Sequence, residues 1–155
     1  MASIKEAFNT AASLTITLNS LASGSGRQST IIDNSGGLYL DAAVMVKTKT
    51  SSGVAATGTV TVYALGTVDG GNTYTDNAGA SDAALTVINA RPIGVFAATS
   101  SGQTYYGGPY SVAAAFGGIL PSRWGIAVVN NTGAALDASS SNHSALYQEL
   151  YATVA

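Results

Sequence analysis

Catalytic chemistry in this chain would have to be built around a single histidine. His143 is the only histidine among 155 residues, and there is no cysteine. Disulfides, zinc–thiolate sites and thiol nucleophiles are therefore excluded, as are multi-histidine metal sites. No G-x-S-x-G segment holds a serine nucleophile, and no glycine-rich phosphate-binding motif is present. We predict that His143 bonds to a neighbouring residue beside the last strand, and that the protein is not an enzyme and has no cofactor.

The acidic residues are typical of turns. Only Glu6 and Glu149 are glutamates, and the six aspartates lie mainly beside turn residues, where Asp caps backbone amides. The segment from Asp69 to Asn77 gathers several hard oxygen ligands of the kind that Ca²⁺ prefers. No glutamate closes it in the EF-hand manner, so we favour a hairpin followed by a polar loop that is held by Asx turns. Calcium binding at this loop stays open.

A tyrosine-rich segment is a candidate contact surface. Thr104–Tyr110 holds Tyr105, Tyr106 and Tyr110 beside flexible glycines. Tyrosine offers a large amphipathic face at low entropic cost and is enriched in contact surfaces and sugar-binding loops. The alternative is that two of these rings cap the open end of the core. Trp124, at the start of an apolar strand, is expected to anchor either the core or an interface.

The charge content argues against two classes of partner. Charged residues make up 9% of the chain, against about 25% in an average globular protein, and the net charge is −2. Nucleic acid and anionic membrane surfaces both require a basic face, so we expect neither as a partner. A neutral surface of small residues instead favours packing against other copies or a larger body, because little charge is desolvated on contact. Lys47 and Lys49 share one strand face and indicate a solvated side or a guarded sheet edge.

The hydrophobic pattern predicts an all-β protein. Short runs alternate apolar and small polar residues, as in Val44 and Val46 or Val60 and Val62, and Gly, Asn, Asp or Ser bounds each run. About eight or nine strands at this spacing indicate an antiparallel sandwich or barrel, and no amphipathic helical stretch separates them. The runs are Leu14–Leu18, Gly26–Asp33, Leu38–Thr48, Thr59–Ala64, Leu85–Ile88, Ile93–Ala97, Tyr110–Ala115, Ile126–Val129 and Leu146–Val154. We assign residues 13–155 to one sandwich domain.

The first twelve residues are expected to form a loose arm or a short helix. Ser3 and Glu6 have the spacing of a capping box, which favours a helix from Ser3 to about Ala12. Ile4 and Phe8 are candidate contact residues of this arm. Lys5 and Glu6 interrupt the apolar run that a signal peptide would need, and no apolar run approaches the length of a transmembrane helix. We therefore expect a protein that folds in the cytosol.

Strand and turn segments over most of the chain resemble a family of small structural proteins of tailed bacteriophages. The resemblance begins at the Leu14–Thr17 strand and ends at the last strand, and no catalytic motif carries it. The segments that carry it are Gly26–Thr30, Asp33–Asn34, Leu38–Ala42, Tyr63–Tyr74, Ser111–Pro121 and Arg123–Ile126. The resemblance implies a virion component with a jelly-roll-like sandwich fold.

Together with the composition, the resemblance leads us to expect a capsid decoration, or cement, protein on the outside of the phage head. Such a protein is expected to be a homo-oligomer, with a trimer favoured, to bind the major capsid protein and to be located in the virion after assembly in the host cytoplasm. Two alternatives stay open. One is a tail, baseplate or receptor-binding module in which the tyrosine segment contacts carbohydrate or another tail protein. The other is a lectin or a hydrolase accessory domain.

Overall fold

Two β-sheets account for most of the regular structure. Residues 3–154 are described by a computed structural model, and they contain eleven strands and three short 3-10 turns, at Thr75–Asn77, Ala113–Phe116 and Ser140–Asn142. The strands are β1 (Ile4–Phe8), β2 (Ala12–Leu14), β3 (Gly26–Gln28), β4 (Ile32–Asp33), β5 (Asp41–Lys49), β6 (Thr59–Thr67), β7 (Ala83–Ala84), β8 (Arg91–Ala97), β9 (Thr104–Ser111), β10 (Arg123–Asn131) and β11 (Ser144–Val154).

The strand order confirms a jelly-roll sandwich. In sheet A, β1 and β2 both pair with β11, which is followed by β5 and β9; in sheet B the order is β7-β3-β10-β6-β8, with β4 beside β10. All of these pairings are antiparallel. Eight of the strands make up the sandwich itself: in chain order they are β2, β3, β5, β6, β8, β9, β10 and β11. If these are numbered one to eight, sheet A has the order one-eight-three-six. Sheet B has the order two-seven-four-five. Two interlocked Greek keys of eight strands give this order.

The core lies between the sheets and follows the predicted alternation. Val44 and Val46 on β5 face Val60 and Val62 on β6, and all four are fully buried, as is Trp124 on β10. Burying a valine or leucine side chain contributes about 1.5–3 kcal/mol. Residues on the other face of β5 are partly or largely exposed. The period-2 pattern in the sequence therefore identified the inward face correctly.

Two glycines let the edge strands of the sheets approach each other closely. Gly94 on β8 lies under the ring of Tyr110 on β9, and Gly107 on β9 lies under the ring of Phe96 on β8. A Cβ at either glycine would overlap the ring above it. The two contacts are reciprocal, since each strand provides one glycine and one aromatic ring. They close the sandwich along this side.

The N-terminal helix alternative is wrong. Ile4–Phe8 is a strand that pairs with the C-terminal half of β11, from Phe8 opposite Leu150 to Ile4 opposite Val154. The exposed edge of β11 offers backbone partners along its length, and this pairing outweighs the weak local preference of the Ser3–Glu6 capping box. Because β5 begins at Asp41, opposite Leu150, β1 and the last residues of β11 project beyond sheet A as a two-stranded ribbon. Met1 and Ala2, also assigned to the arm, lie outside the described residues.

Three other predicted strands differ in their bounds. β2 ends at Leu14, so most of the run to Leu18 is irregular. Leu85 and Val87 follow the short β7 and pack on the outer face of sheet B instead of joining it. The segment Thr104–Ser111, expected to be a loop at its start, is strand β9 throughout. Periodicity alone does not distinguish a strand from an extended segment that covers a sheet.

Replacing either close-packed glycine with alanine is expected to destabilise the fold. Gly94→Ala and Gly107→Ala each force an aromatic ring out of its packed position, which costs about 1–3 kcal/mol. Gly36→Ala is the matched control, because its Cβ would meet nothing within 4 Å and its φ lies outside the left-handed region that favours glycine. Urea unfolding of the three variants measures the difference. Equal stability of all three would contradict the proposed close contacts.

Candidate functional site

Three of the six candidate contact residues belong to the core. Trp124 is fully buried and meets Tyr147 edge to face, with ring centroids 5.3 Å apart. Tyr105 packs against the core, and its hydroxyl accepts a hydrogen bond of 2.8 Å from the backbone N–H of Ser100. Tyr110 covers Gly94 and is also packed against the core. Tyr105 and Tyr110 therefore cap the core, the second of the two interpretations.

The other three candidates share the solvent side of sheet A, with Ile4 and Tyr106 at the levels of opposite ends of β11. Ile4 and Phe8 on β1 and Tyr106 on β9 are exposed, and the pairing of the strands places all three on the face that points away from the core. Leu146 on β11 and Met45 on β5 form a directly paired apolar couple between them. We call this surface the outer face of sheet A.

The outer face of sheet A has a regular arrangement of paired residues along β11. Ile4 pairs with Val154, Phe8 with Leu150, Leu146 with Met45, and Ser144 with Lys47, which in turn pairs with Tyr106. The charged side chains on this face are Glu6 at the ribbon, Asp41 at the start of β5, and Lys47 and Lys49 toward the other end of β5. Because β5 lies between β11 and β9, the two lysines mark a solvated face and do not guard a sheet edge.

The chain covers the corresponding face of sheet B with its own residues. Leu65 on β6 and Ala127 on β10 point away from the main core, yet both are fully buried. The connection between β6 and β8 packs over them through Tyr74, Ala78 and Ala90. The chain thus covers part of the outer face of sheet B, around Leu65 and Ala127, whereas Met45 and Leu146 on the outer face of sheet A stay exposed.

A second exposed apolar surface lies at one end of the sandwich. Asp33, Arg123 and Thr67 are paired side by side at the ends of β4, β10 and β6. The loop that follows Asp33 carries Leu38 and Leu40, the loop that follows Thr67 begins with Val68, and the loop that precedes Arg123 contains Ile119. The four apolar residues are exposed, Val68 completely and Leu38 and Ile119 to about three quarters. We call Leu38, Leu40, Val68 and Ile119 the apolar end.

The backbone holds the loop that follows Asp33 in a defined position. Leu38 has a φ of 52°, which is uncommon for a bulky residue. Asn34 maintains this turn, because its side-chain oxygen accepts from the backbone N–H of Tyr39 at 2.8 Å and its amide donates to the Tyr39 carbonyl at 3.1 Å. Backbone strain of this kind is concentrated at functional sites. An apolar side chain held outward by a strained turn is consistent with a contact role.

A groove of about 670 Å³ opens beside the apolar end, between the loops that carry Val68 and Ile119. Phe116 and Pro121 form part of its wall and pack directly against Gly66 on β6. Arg91 and Asn89 add polar groups at its border. The groove is therefore mainly apolar with a polar border, which suits a protein or small apolar partner.

The opposite end of the sandwich has a different character. Its loops are formed by residues 50–58, 98–103 and 132–143, in which Ser, Ala, Gly and Thr predominate. Among the described residues, no exposed large apolar side chain lies in these three loops. The two ends of the sandwich therefore differ in the exposed apolar side chains that their loops carry, and the apolar end is the better candidate for a contact surface.

The aspartates stabilise turns, as predicted. Asp76 accepts hydrogen bonds from the backbone N–H groups of Ile88, Asn89 and Ala90 at 3.0, 2.7 and 2.9 Å, and so fixes the segment that covers sheet B. The remaining aspartates accept from nearby amide, hydroxyl or guanidinium groups, namely Asp33, Asp41, Asp69, Asp82 and Asp137. Each of the six aspartates is therefore engaged by groups of its own chain.

Asp69 forms the predicted Asx turn. Its Oδ1 accepts from the Thr67 hydroxyl at 2.6 Å and from the backbone N–H groups of Asn72 and Thr73 at 3.0 Å each. The Thr67 and Thr73 hydrogen bonds hold the pKa of Asp69 well below its usual range. Asp76 points to residues 88–90 instead, so the two carboxylates of the candidate calcium loop bind different segments. Among residues 3–154, no group of three or more His, Asp or Glu side chains is placed to hold a metal ion.

His143 has a structural setting. Its Nε2 lies 2.9 Å from the carbonyl oxygen of Asp137, and its Nδ1 accepts from the Lys49 backbone N–H at 3.5 Å. This arrangement requires a neutral ring that carries its proton on Nε2. Burial lowers the pKa of His143, and the nearby Lys47 acts in the same direction. The histidine joins β5 to the last loop, as its position beside a strand predicted.

No protein-family model, curated protein or solved structure matches the chain, so no residue takes a role from a relative. In the described part of the chain, no helix is long and apolar enough to cross a membrane.

The apolar end was not among the sequence predictions, although the sequence carries a signal for it. Leu38 follows Gly36-Gly37, Val68 precedes Asp69-Gly70-Gly71, and Ile119 follows Gly117-Gly118. A large apolar residue next to a pair of glycines in a turn is unusual, because turns are normally polar. The fold is needed to show that the three turns share one end.

The neutral His143 predicts a stability change near neutral pH. Because its folded pKa is lower than its unfolded value of 6.5, the unfolded chain binds the proton more readily. Stability is full above about pH 6.5 and falls as the pH drops through the folded pKa. We expect the melting temperature to fall between about pH 7.5 and 5.5. His143→Gln should remove most of this fall, and an unchanged fall in that variant would contradict the assignment.

Proposed function

We propose that this protein is a non-enzymatic structural component of a phage particle, a decoration protein that binds the outside of the head through its apolar end. The observation that carries the proposal is the grouping of Leu38, Leu40, Val68 and Ile119 on three loops at one end, while the loops of the other end are small and polar. Exposed apolar groups of this kind mark sites of protein interaction.

The composition supports an assembly role. With 9% charged residues, the chain has few ions to desolvate when it is packed against a large neighbour. Many copies on a symmetric shell gain occupancy from the number of contacts without a deep pocket. Jelly rolls are common in viral capsid and lectin domains, although this likeness of fold is an analogy only. The resemblance of the strand and turn segments to small phage structural proteins points in the same direction.

The alternative of a tail module that binds carbohydrate has less support. It depended on the tyrosine segment, in which the rings of Tyr105 and Tyr110 pack against the core. Tyr106 is the one ring of the three that is exposed on the outer face of sheet A. A single exposed tyrosine offers a small platform for a sugar. The apolar end is therefore the better-supported contact surface.

Polar substitution at the apolar end should weaken binding to phage heads. The double variant Val68→Ser/Ile119→Ser removes two exposed side chains, and burial of each in a contact is worth at least about 1.5 kcal/mol. We expect the dissociation constant for purified heads that lack the protein to rise about 100-fold. Co-sedimentation at a series of protein concentrations measures this change.

Val95→Ser is the matched control, because Val95 is also exposed but lies on β8, away from the apolar end. It should bind heads as the unaltered protein does. Equal losses in the control and the double variant would contradict the assignment of the apolar end. Failure of the unaltered protein to bind heads would overturn the proposed function itself.

A further inference from the structure

We propose that the groove beside the apolar end binds an extended segment of a partner protein, in which an acidic side chain pairs with Arg91. An apolar side chain of the same segment lies against Phe116 and Pro121. The inference rests on the proposed function for the identity of the partner, which is the protein of the phage head that this chain contacts. It adds the chemistry by which that partner is recognised.

The groove forms because two neighbouring strands of sheet B end at different levels. β8 begins at Arg91, opposite Ala64 of β6. β6 continues to Thr67, and among the described strands it pairs there with β10 alone, on its other side. The Thr75 hydroxyl takes the place of a strand at Gly66, since it accepts from the Gly66 N–H at 3.4 Å and donates to the Gly66 carbonyl at 3.3 Å. The space beside this strand edge is left open.

Both walls of the groove are held in place by the chain itself. On one side, Asp76 uses both of its carboxylate oxygens to accept from the backbone N–H groups of residues 88–90, immediately before β8. On the other side, Phe116 and Pro121 pack on Gly66, where a Cβ would lie 2.8 Å from each. A preformed groove loses little conformational freedom on binding, which favours its use as a contact site.

The groove continues past its apolar wall instead of closing there. A second hollow of about 360 Å³ shares Val68, Thr75, Phe116 and Pro121 with it and extends to Asp69. Arg91 is exposed at one end of this path and Asp69 at the other, so a chain can continue beyond both. This shape suits an internal, extended segment, whose side chains enter pockets along a sheet edge.

The charge at the border of the groove identifies the polar group of the segment. The chain has three arginines. Arg27 forms an ion pair with Asp82, and the Arg123 guanidinium forms one with Asp33. Among residues 3–154, no carboxylate pairs with the guanidinium of Arg91. A guanidinium binds a carboxylate through two parallel hydrogen bonds, and arginine is enriched among the residues that dominate contact energies.

A partner of another charge fits this groove less well. A neutral apolar segment would take the Arg91 guanidinium out of water without a partner, which is costly. A basic segment would be repelled. An acidic side chain next to an apolar one satisfies both the cation and the apolar wall, so charge complementarity selects a segment of that composition.

Removal of the charge at Arg91 tests the ion pair on purified heads that lack the protein. Arg91→Gln should raise the dissociation constant at least about tenfold, because the carboxylate of the partner is left unpaired. Arg91→Lys should retain most of the binding, since it keeps the charge although it loses the planar fork. Lys49→Gln is the matched control, because it removes the same charge from the outer face of sheet A and should bind unchanged. Circular dichroism establishes that each variant is folded.

The outcomes separate this inference from the proposed function. If Arg91→Gln binds heads as the unaltered protein does, the inference is overturned and head binding through the apolar end stands. An equal loss in Lys49→Gln would also overturn it, since the effect would then be one of net charge. If the unaltered protein does not bind heads, the proposed function fails first.

A zero-length cross-link identifies the acidic group directly. Heads carrying the Arg91→Lys variant are treated with a water-soluble carbodiimide, which condenses an amine and an adjacent carboxylate into an amide. Mass spectrometry of the digest should find position 91 joined to an aspartate or glutamate side chain of the head protein. The unaltered protein, which has no amine at this position, is the control. A cross-link to a chain terminus, or none while the variant is bound, would overturn the inference.

Discussion

The unequal cover of the two sheets determines which surfaces of the molecule are left for partners. Asp76 ties residues 88–90 to the connection that lies over sheet B, so Leu65 and Ala127 become part of a second small core. No segment within residues 3–154 does the same for sheet A, and its apolar side chains stay in solvent. A chain with few charges therefore keeps an apolar sheet face and an apolar end. The proposed function rests on the apolar end.

The main features of the fold could be predicted from the sequence because alternation and turn residues are local signals. Val44, Val46, Val60 and Val62 alternate with polar or exposed neighbours, and each lies where the pattern placed it. The prediction of a helix near Ser3 was wrong because residues 4–8 pair with the edge of β11, which is distant in the sequence. Local sequence patterns carry no information about such a pairing. Strand pairing across about 145 residues is decided by the whole fold, whereas a capping box is worth about 1 kcal/mol.

The contact residues were harder to predict than the fold, for the same reason. Ile4, Phe8 and Tyr106 were singled out and do share one exposed face, whereas Trp124, chosen on its residue type, is buried in the core. Val68 was missed because one exposed apolar residue in a turn carries little weight alone. Val68 can be assigned to a contact surface only together with apolar residues of other loops, and the jelly-roll strand order is what brings these loops to one end.

The central claim is our proposal that the protein decorates a phage head through its apolar end. Quantitative mass spectrometry of purified particles tests it most directly, by measuring the number of copies of this protein relative to the major capsid protein. The account predicts hundreds of copies per particle, a number that scales with the subunits of the shell. A handful of copies would indicate a tail component, and absence from the particle would remove any virion role; either result would contradict the claim.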